Sequence, residues 1–153
     1  MKLYLIPSLL SEDSLETLSP QIKHTLENTS FYLVEHLKTA RRFIRKVLPK
    51  KNIDELSFFV LNKRSSEAEV GTFFKEIPQD ENVGVISEAG CPCIADPGNL
   101  AVSYAHKNGI EVMPLVGPSS ILMALMASGM NGQSFVFHGY LPIKQPERSK
   151  KLQ

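Results

Sequence analysis

Five short β-type runs recur along this chain, with helix-type segments between them: Leu3–Ile6, Phe31–Val34, Ser57–Leu61, Val83–Ile86 and Ile110–Leu115. Their starts are spaced close to the roughly 30 residues of one strand–helix–strand unit. The segments between them carry apolar residues three and four apart, the spacing that lines one face of a helix. Leu15, Leu18, Ile22 and Leu26 do so in the first segment, and Ala40, Phe43, Ile44 and Val47 in the second. Glu67–Lys75 and Leu100–Lys107 read as two more helices. Strands that alternate with helices run parallel, because each return crossing is made by a helix, and right-handed crossings cover both sheet faces. The pattern predicts an α/β fold, a five-stranded, mostly parallel open sheet with helices on both faces.

Beyond Leu115 the alternation breaks. Pro114 and Pro118 bracket a stiff connection that cannot continue a helix. Ser119 or Ser120 then caps a helix over 121–127 that ends near Gly129. Phe135–Phe137 reads as a strand, and the basic stretch 144–153 as the start of another helix. The expected organisation is an N-terminal α/β domain over 1–115 and, over 116–153, the beginning of a truncated C-terminal α/β domain. Met123, Met126 and Met130, at three- and four-residue spacing, read as its core.

Composition narrows the function classes. Hydrophobic content of 42% with 22% charged residues is that of a soluble globular chain. A net charge of +1 provides no global attraction to nucleic acid or membrane, so only local patches matter. No apolar run approaches the roughly 20 residues that span a bilayer. The first ten residues lead into Glu12 and Asp13 and do not make a secretory leader. Cys91 and Cys93 are too close for a disulfide framework, and no further Cys or clustered His completes a metal site. A reduced, cytoplasmic setting and no metal are expected. No glycine precedes Gly71, so strand one lacks the glycine-rich turn of a dinucleotide fingerprint or P-loop.

The segment Ser87-Glu88-Ala89-Gly90-Cys91-Pro92-Cys93-Ile94-Ala95-Asp96-Pro97-Gly98 joins the fourth strand to its helix. It is far longer than the about two to six residues of an ordinary connection. It also falls outside the carboxyl end of a parallel strand, where such sheets bind ligands. Gly90 and Gly98 let a ligand approach the backbone, and Pro92 and Pro97 stiffen the segment. Glu88 and Asp96 offer carboxylates to ribose hydroxyls or an amino group. The other reading is a structural turn with capping carboxylates. A second feature is the run Lys38, Arg41, Arg42, Arg45, Lys46, Lys50 and Lys51, with no acid from His36 to Ile53. It reads either as a phosphate-binding face or as a solvated helix face. Lys144, Arg148, Lys150 and Lys151 form a smaller patch.

The 87–98 segment, followed by Gly117-Pro-Ser-Ser-Ile121, Ala127-Ser-Gly-Met130 and Phe137-His-Gly-Tyr-Leu-Pro142, resembles the tetrapyrrole methylase superfamily of S-adenosylmethionine-dependent methyltransferases. Within it, these motifs are most similar to the branch that methylates a cytidine ribose 2′-hydroxyl of small-subunit ribosomal RNA. The resemblance covers roughly residues 83–151 and implies a cofactor folded between two α/β domains of a homodimer, with ribosomal RNA as substrate. It implies cofactor contacts at Pro7, Glu88, Ala89, Gly90, Cys91, Ile94, Ala95, Asp96, Gly117, Pro118, Ser119, Ser120 and Met130. Ile94, Leu115 and Met130 are candidates to flank the adenine. Lys38, Arg41, Arg42 and Arg45 are the candidates for substrate phosphates. A ribose hydroxyl benefits from a general base, and Glu35 and Glu88 are the catalytic candidates, with His36 beside them. Three segments depart from the branch: Ile6-Pro-Ser-Leu-Leu-Ser11, Glu35-His-Leu-Lys38 and Leu61-Asn-Lys-Arg64. Two alternatives therefore stand beside this reading: a methyltransferase of a tetrapyrrole or other small anionic substrate, and a non-catalytic relative that binds cofactor or RNA.

Overall fold

A computed structural model describes residues 1–62 and 64–152. Lys63, in the third departing segment, and Gln153 lie outside the described residues. The strands are β1 (Lys2–Ile6), β2 (Phe31–Val34), β3 (Ser57–Val60), β4 (Val83–Ile86) and β5 (Glu111–Pro114). They form one parallel sheet in the order β3-β2-β4-β1-β5. The helices α1 (Pro20–Glu27), α2 (Leu37–Val47), α3 (Glu67–Glu76) and α4 (Asn99–Lys107) link consecutive strands. The expected α/β sheet is the one observed.

Side chains of a strand point alternately to opposite faces, and that period of two divides the core. Ile6, Tyr32, Val34 and Ile86 face α1 and α2, where they meet Ile22, Leu26, Ala40, Phe43 and Ile44. Leu3, Leu33, Val83 and Val85 face α3 and α4, where they meet Val70, Phe73, Phe74, Ala101 and Ala105. Every residue of the central β4 is buried. Gly84 faces the first cluster, and a Cβ there would lie 2.8 Å from Ile6 and 2.9 Å from Tyr32. The buried Tyr32 hydroxyl donates to the carbonyl of Thr29 at 2.8 Å, so its burial leaves no unmet donor.

The first helical segment differs from the expectation of one face running from Leu15 to Leu26. Leu15–Thr17 make only a 3₁₀ turn, and α1 begins at Pro20. A proline disfavours helical backbone in the residue before it, and Ser19 is extended at φ −67° and ψ 149°. Leu15 is left exposed and only Ile22 and Leu26 of that series are buried.

Contacts divide the chain into a unit of Met1–Ser120 and a unit of Ile121–Gln153. The second holds most of α5 (Ser120–Ala127) and all of α6 (Gln145–Leu152). Residues 135–137 form no strand. A strand needs a neighbour to take its backbone hydrogen bonds, and the described residues of this unit pair with none. No described residue of the unit is buried, so Met123, Met126 and Met130 are exposed rather than core.

Candidate functional site

The sheet order itself opens a crevice. From β1 and β2 the chain crosses towards β3 on one face, through α1 and α2. From β3 and β4 it crosses back towards β5 on the other face, through α3 and α4. The neighbours β1 and β4 thus send their chains to opposite faces. Ligands of open α/β sheets bind outside the carboxyl ends at such a switch.

Three segments converge there. The Ser8 amide donates to the Gly90 carbonyl at 3.0 Å, an antiparallel bridge between the chain after β1 and the loop after β4. Ser87 Oγ donates to the same carbonyl, and the Ser8 and Ser87 hydroxyls lie 3.4 Å apart. The chain leaving β5 joins them: the Leu115 amide donates to the Leu5 carbonyl at 3.0 Å. Gly117 then packs so closely on Pro7 that a Cβ would sit 2.3 Å from the proline Cβ. Gly90 has a left-handed φ of 68°, and a Cβ there would be 3.2 Å from the Pro118 carbonyl oxygen. Cys91 Sγ donates to that oxygen at 3.5 Å. The two glycine–proline bends therefore meet over Pro7 and Ser8. Gly90 and Gly117 permit this close approach of chain to chain.

The rest of the 87–98 loop is held from within. Asp96 Oδ1 accepts from the amides of Gly98 at 2.8 Å and Cys93 at 3.3 Å. That bracing supports left-handed backbone at Cys93 (φ 67°) and Ala95 (φ 59°), a conformation that costs roughly 1–2 kcal/mol per non-glycine residue. The carboxylate of Asp96 thus does what the turn reading expected. Ile94 and Ala95 are exposed at the tip of this loop, while Leu115, a candidate to flank the adenine, is buried in the core against α1 and α2. Burial, then the nearby Asp96, pushes the Cys93 thiol up to about 11. Pro7 is buried, and Ser119 and Ser120 lie at the start of α5. Met130 belongs to the second unit.

Two hollows flank this convergence. A cleft of about 270 Å³ is walled by Ser8–Glu12, by Ser87–Ala89, and by Thr39, Ala40, Arg42, Phe43 and Lys46 of α2. Another, of about 400 Å³, is lined by Glu35, Asn62, Ser65, Ala95–Pro97, Asn99 and Leu100. Glu35 and Glu88, the two catalytic candidates, line different hollows. Glu88 instead meets His36, with Oε2 3.4 Å from Nδ1. Ser8, Ser87, Thr39 and Phe43 were not among the sequence candidates for the site. Ser8 and Ser87 each follow a strand at the switch, a signal that could have found them; Phe43 gives none, because its spacing reads as core.

No protein-family model matches the chain. It is 32% identical over 139 residues to the ribosomal RNA small subunit methyltransferase I of Xylella fastidiosa, a match covering 91% of this chain and 49% of that protein. The protein of the same name from Thermotoga maritima is 32% identical over 129 residues, covering 84% of this chain and 56% of that one. That from Vibrio cholerae is 29% identical over 150 residues, covering 98% and 50%. Over most of its length the chain is thus similar in sequence to proteins that bear the name ribosomal RNA small subunit methyltransferase I. It spans about half the length of the relatives it matches.

The basic run on α2 is partly neutralised by acids from other segments. Arg41 pairs with Asp54, Arg42 Nη1 pairs with Glu12 Oε1 at 3.2 Å, and Lys46 donates to the Glu12 carbonyl. Lys38 and Arg45 form no ion pair among the described residues. Lys51 is drawn away from the run altogether. Its ammonium donates to the carbonyls of Leu26, Glu27 and Thr29 at the end of α1, at 2.5, 3.0 and 2.8 Å. Burial lowers its pKa, with Glu27 opposing. Among the described residues no group of three or more His, Cys, Asp or Glu side chains is placed to hold a metal, and no helix is long and apolar enough to cross a membrane.

Proposed function

We infer that the protein is an S-adenosylmethionine-dependent methyltransferase acting on a ribose 2′-hydroxyl of small-subunit ribosomal RNA, cytoplasmic and homodimeric. Residues 116–153 belong, on this reading, to the opening of a second α/β domain. The observation that carries it is the meeting of the 87–91 and 115–118 bends over Pro7 and Ser8 at the sheet's switch point, in a chain whose relatives bear the methyltransferase name.

The residues present fit such a cofactor. Glu88 lines the cleft, and a carboxylate there complements a positive sulfonium. Ala89 beside it is small and exposed, and Ile94 offers an exposed apolar surface for a purine. At about 270 Å³ the cleft falls below the roughly 300–1,000 Å³ of typical small-molecule sites. A space of that size has room for part of a nucleoside–amino acid conjugate. The cofactor brings an electrophilic methyl group; this chain's task is to hold that methyl in line with a hydroxyl, and such orientation is worth several kcal/mol of barrier. Lys38 and Arg45 of α2, which form no ion pair among the described residues, support an RNA phosphate contact.

Titration calorimetry of the intact protein with the cofactor tests the first half. Transfer of labelled methyl to small ribosomal subunits from cells lacking the protein tests the second. Absence of binding heat at high micromolar cofactor would overturn the reading.

A further inference from the structure

We propose that His36 and Glu88 form the proton-accepting pair of the site: the imidazole takes the proton of the attacking hydroxyl, and Glu88 positions the ring. The assignment rests on the methyltransferase reading above and names the base it leaves open.

His36 occupies the N-cap position of α2 with extended backbone, φ −132° and ψ 120°. Ser, Thr, Asp or Asn normally sits there, with a side-chain oxygen accepting a helix amide. The His36 ring caps nothing. It points instead to the loop after β4, with Nδ1 3.4 Å from Glu88 Oε2. The residues stand at the ends of neighbouring strands, β2 and β4, whose onward helices lie on opposite sheet faces. Glu88 also lines the cleft beside Ser8 and Ser87. Glu35, by contrast, belongs to the other hollow.

A carboxylate that accepts from Nδ1–H leaves Nε2 its lone pair, and that is the arrangement the proposal requires of Glu88 and His36. At 3.4 Å the contact is longer than an ordinary hydrogen bond, as catalytic contacts are before the substrate arrives. Among the described residues Glu88 is the charged group that meets the ring, and Glu35 and Lys38 are its charged neighbours in the sequence. Glu12, from the loop after β1, is engaged by Arg42 and Lys46. In the step, the hydroxyl O–H bond breaks and its proton passes to Nε2. The freed oxygen pair makes the new C–O bond to the methyl as the C–S pair returns to sulfur, leaving a neutral thioether. His36 then gives its proton to water.

The test uses the intact protein with S-adenosylmethionine and small ribosomal subunits. Calorimetry measures cofactor binding, labelled methyl transfer measures rate, and side-chain ¹⁵N NMR reads the His36 tautomer. His36→Ala is expected to bind cofactor within about twofold of wild type, to lose about 100-fold in rate, and to regain about tenfold with added imidazole. Glu88→Gln is expected to depopulate the Nδ1–H tautomer and slow transfer, and Glu88→Asp to restore part of both. A wild type that binds and transfers while His36→Ala keeps its rate, or loses rate that imidazole does not restore, overturns the pair alone. So does a tautomer unchanged in Glu88→Gln. A wild type that binds no cofactor overturns the pair together with the reading beneath it.

Discussion

A methyl group placed on Gly117 would lie 2.3 Å from Cβ and 2.5 Å from Cγ of Pro7, with no flexible chain end to give way. This contact locks the segment leaving β5 onto the segment leaving β1. Gly117→Ala must therefore push the two apart. Overpacking of this kind costs typically about 1–3 kcal/mol, and the displaced bend carries Pro118 away from Gly90 and Cys91. The expected result is a lower melting temperature and weaker cofactor binding. Adding Pro7→Gly removes the opposing atoms, so the double variant should recover part of the binding lost. Strict additivity of the two changes would show that the contact is not shared.

Cys93 allows a pH prediction with a definite sign. Its thiol is held up to about 11 in the fold, by burial first and Asp96 second. An acid whose folded pKa is raised keeps its proton where the unfolded chain has lost it. Stability is therefore unaffected below the ordinary thiol value near 9 and falls as pH rises from there towards 11. In a Cys91→Ser background, alkylation of Cys93 should stay slow at pH 8 and accelerate only towards pH 11, because the thiolate is the nucleophile. Rapid labelling at neutral pH would contradict the half-buried, protonated thiol.

What could be read from the sequence follows the range of the forces involved. The five strands were legible because continuous runs such as Phe31–Val34 and Val83–Ile86 belong to a sheet buried on both faces, and the helical spacing between them marks each crossing. Pro20 was legible too, and the helix expected from Leu15 should have been cut there, since proline restricts Ser19 whatever the rest of the fold does. The role of Gly117 was not legible. Its glycine is required by Pro7, more than a hundred positions earlier in the chain, and only the sheet order brings them together. The partners of Arg41 and Arg42 were hidden for the same reason: Asp54 and Glu12 lie outside a stretch that looked free of acids. Phe135–Phe137 failed as a strand because β propensity describes a surface that needs a neighbour.

Both core clusters lie within residues 3–115. Ending the chain after Ser120 should therefore leave the sheet intact. The shortened chain is expected to keep its circular dichroism per residue and to melt within about 4 °C of the 153-residue chain, a difference of under about 1 kcal/mol. It should also be less prone to associate, since it sheds Met126, Val136, Tyr140 and Ile143, each at least 72% exposed. Loss of the cooperative melt on truncation would mean that residues 121–153 support the sheet.

Charge on α2 separates an RNA substrate from a small anion. Each phosphate neutralised by a cation contributes about −0.7 to −0.9 to the slope of log affinity against log salt. Among the described residues Lys38 and Arg45 form no ion pair, whereas Arg41 and Arg42 already face Asp54 and Glu12 and must break those contacts to reach a phosphate. The Lys38→Ala, Arg45→Ala double variant should therefore flatten the slope by roughly 1.4–1.8. The Arg41→Ala, Arg42→Ala pair should flatten it by less. Conversely, Glu12→Gln frees Arg42 and should steepen the slope, because one more cation can then meet the backbone. A slope near zero in the wild type, untouched by any of these changes, would leave ribosomal RNA without an electrostatic hold on this helix and favour a small substrate instead.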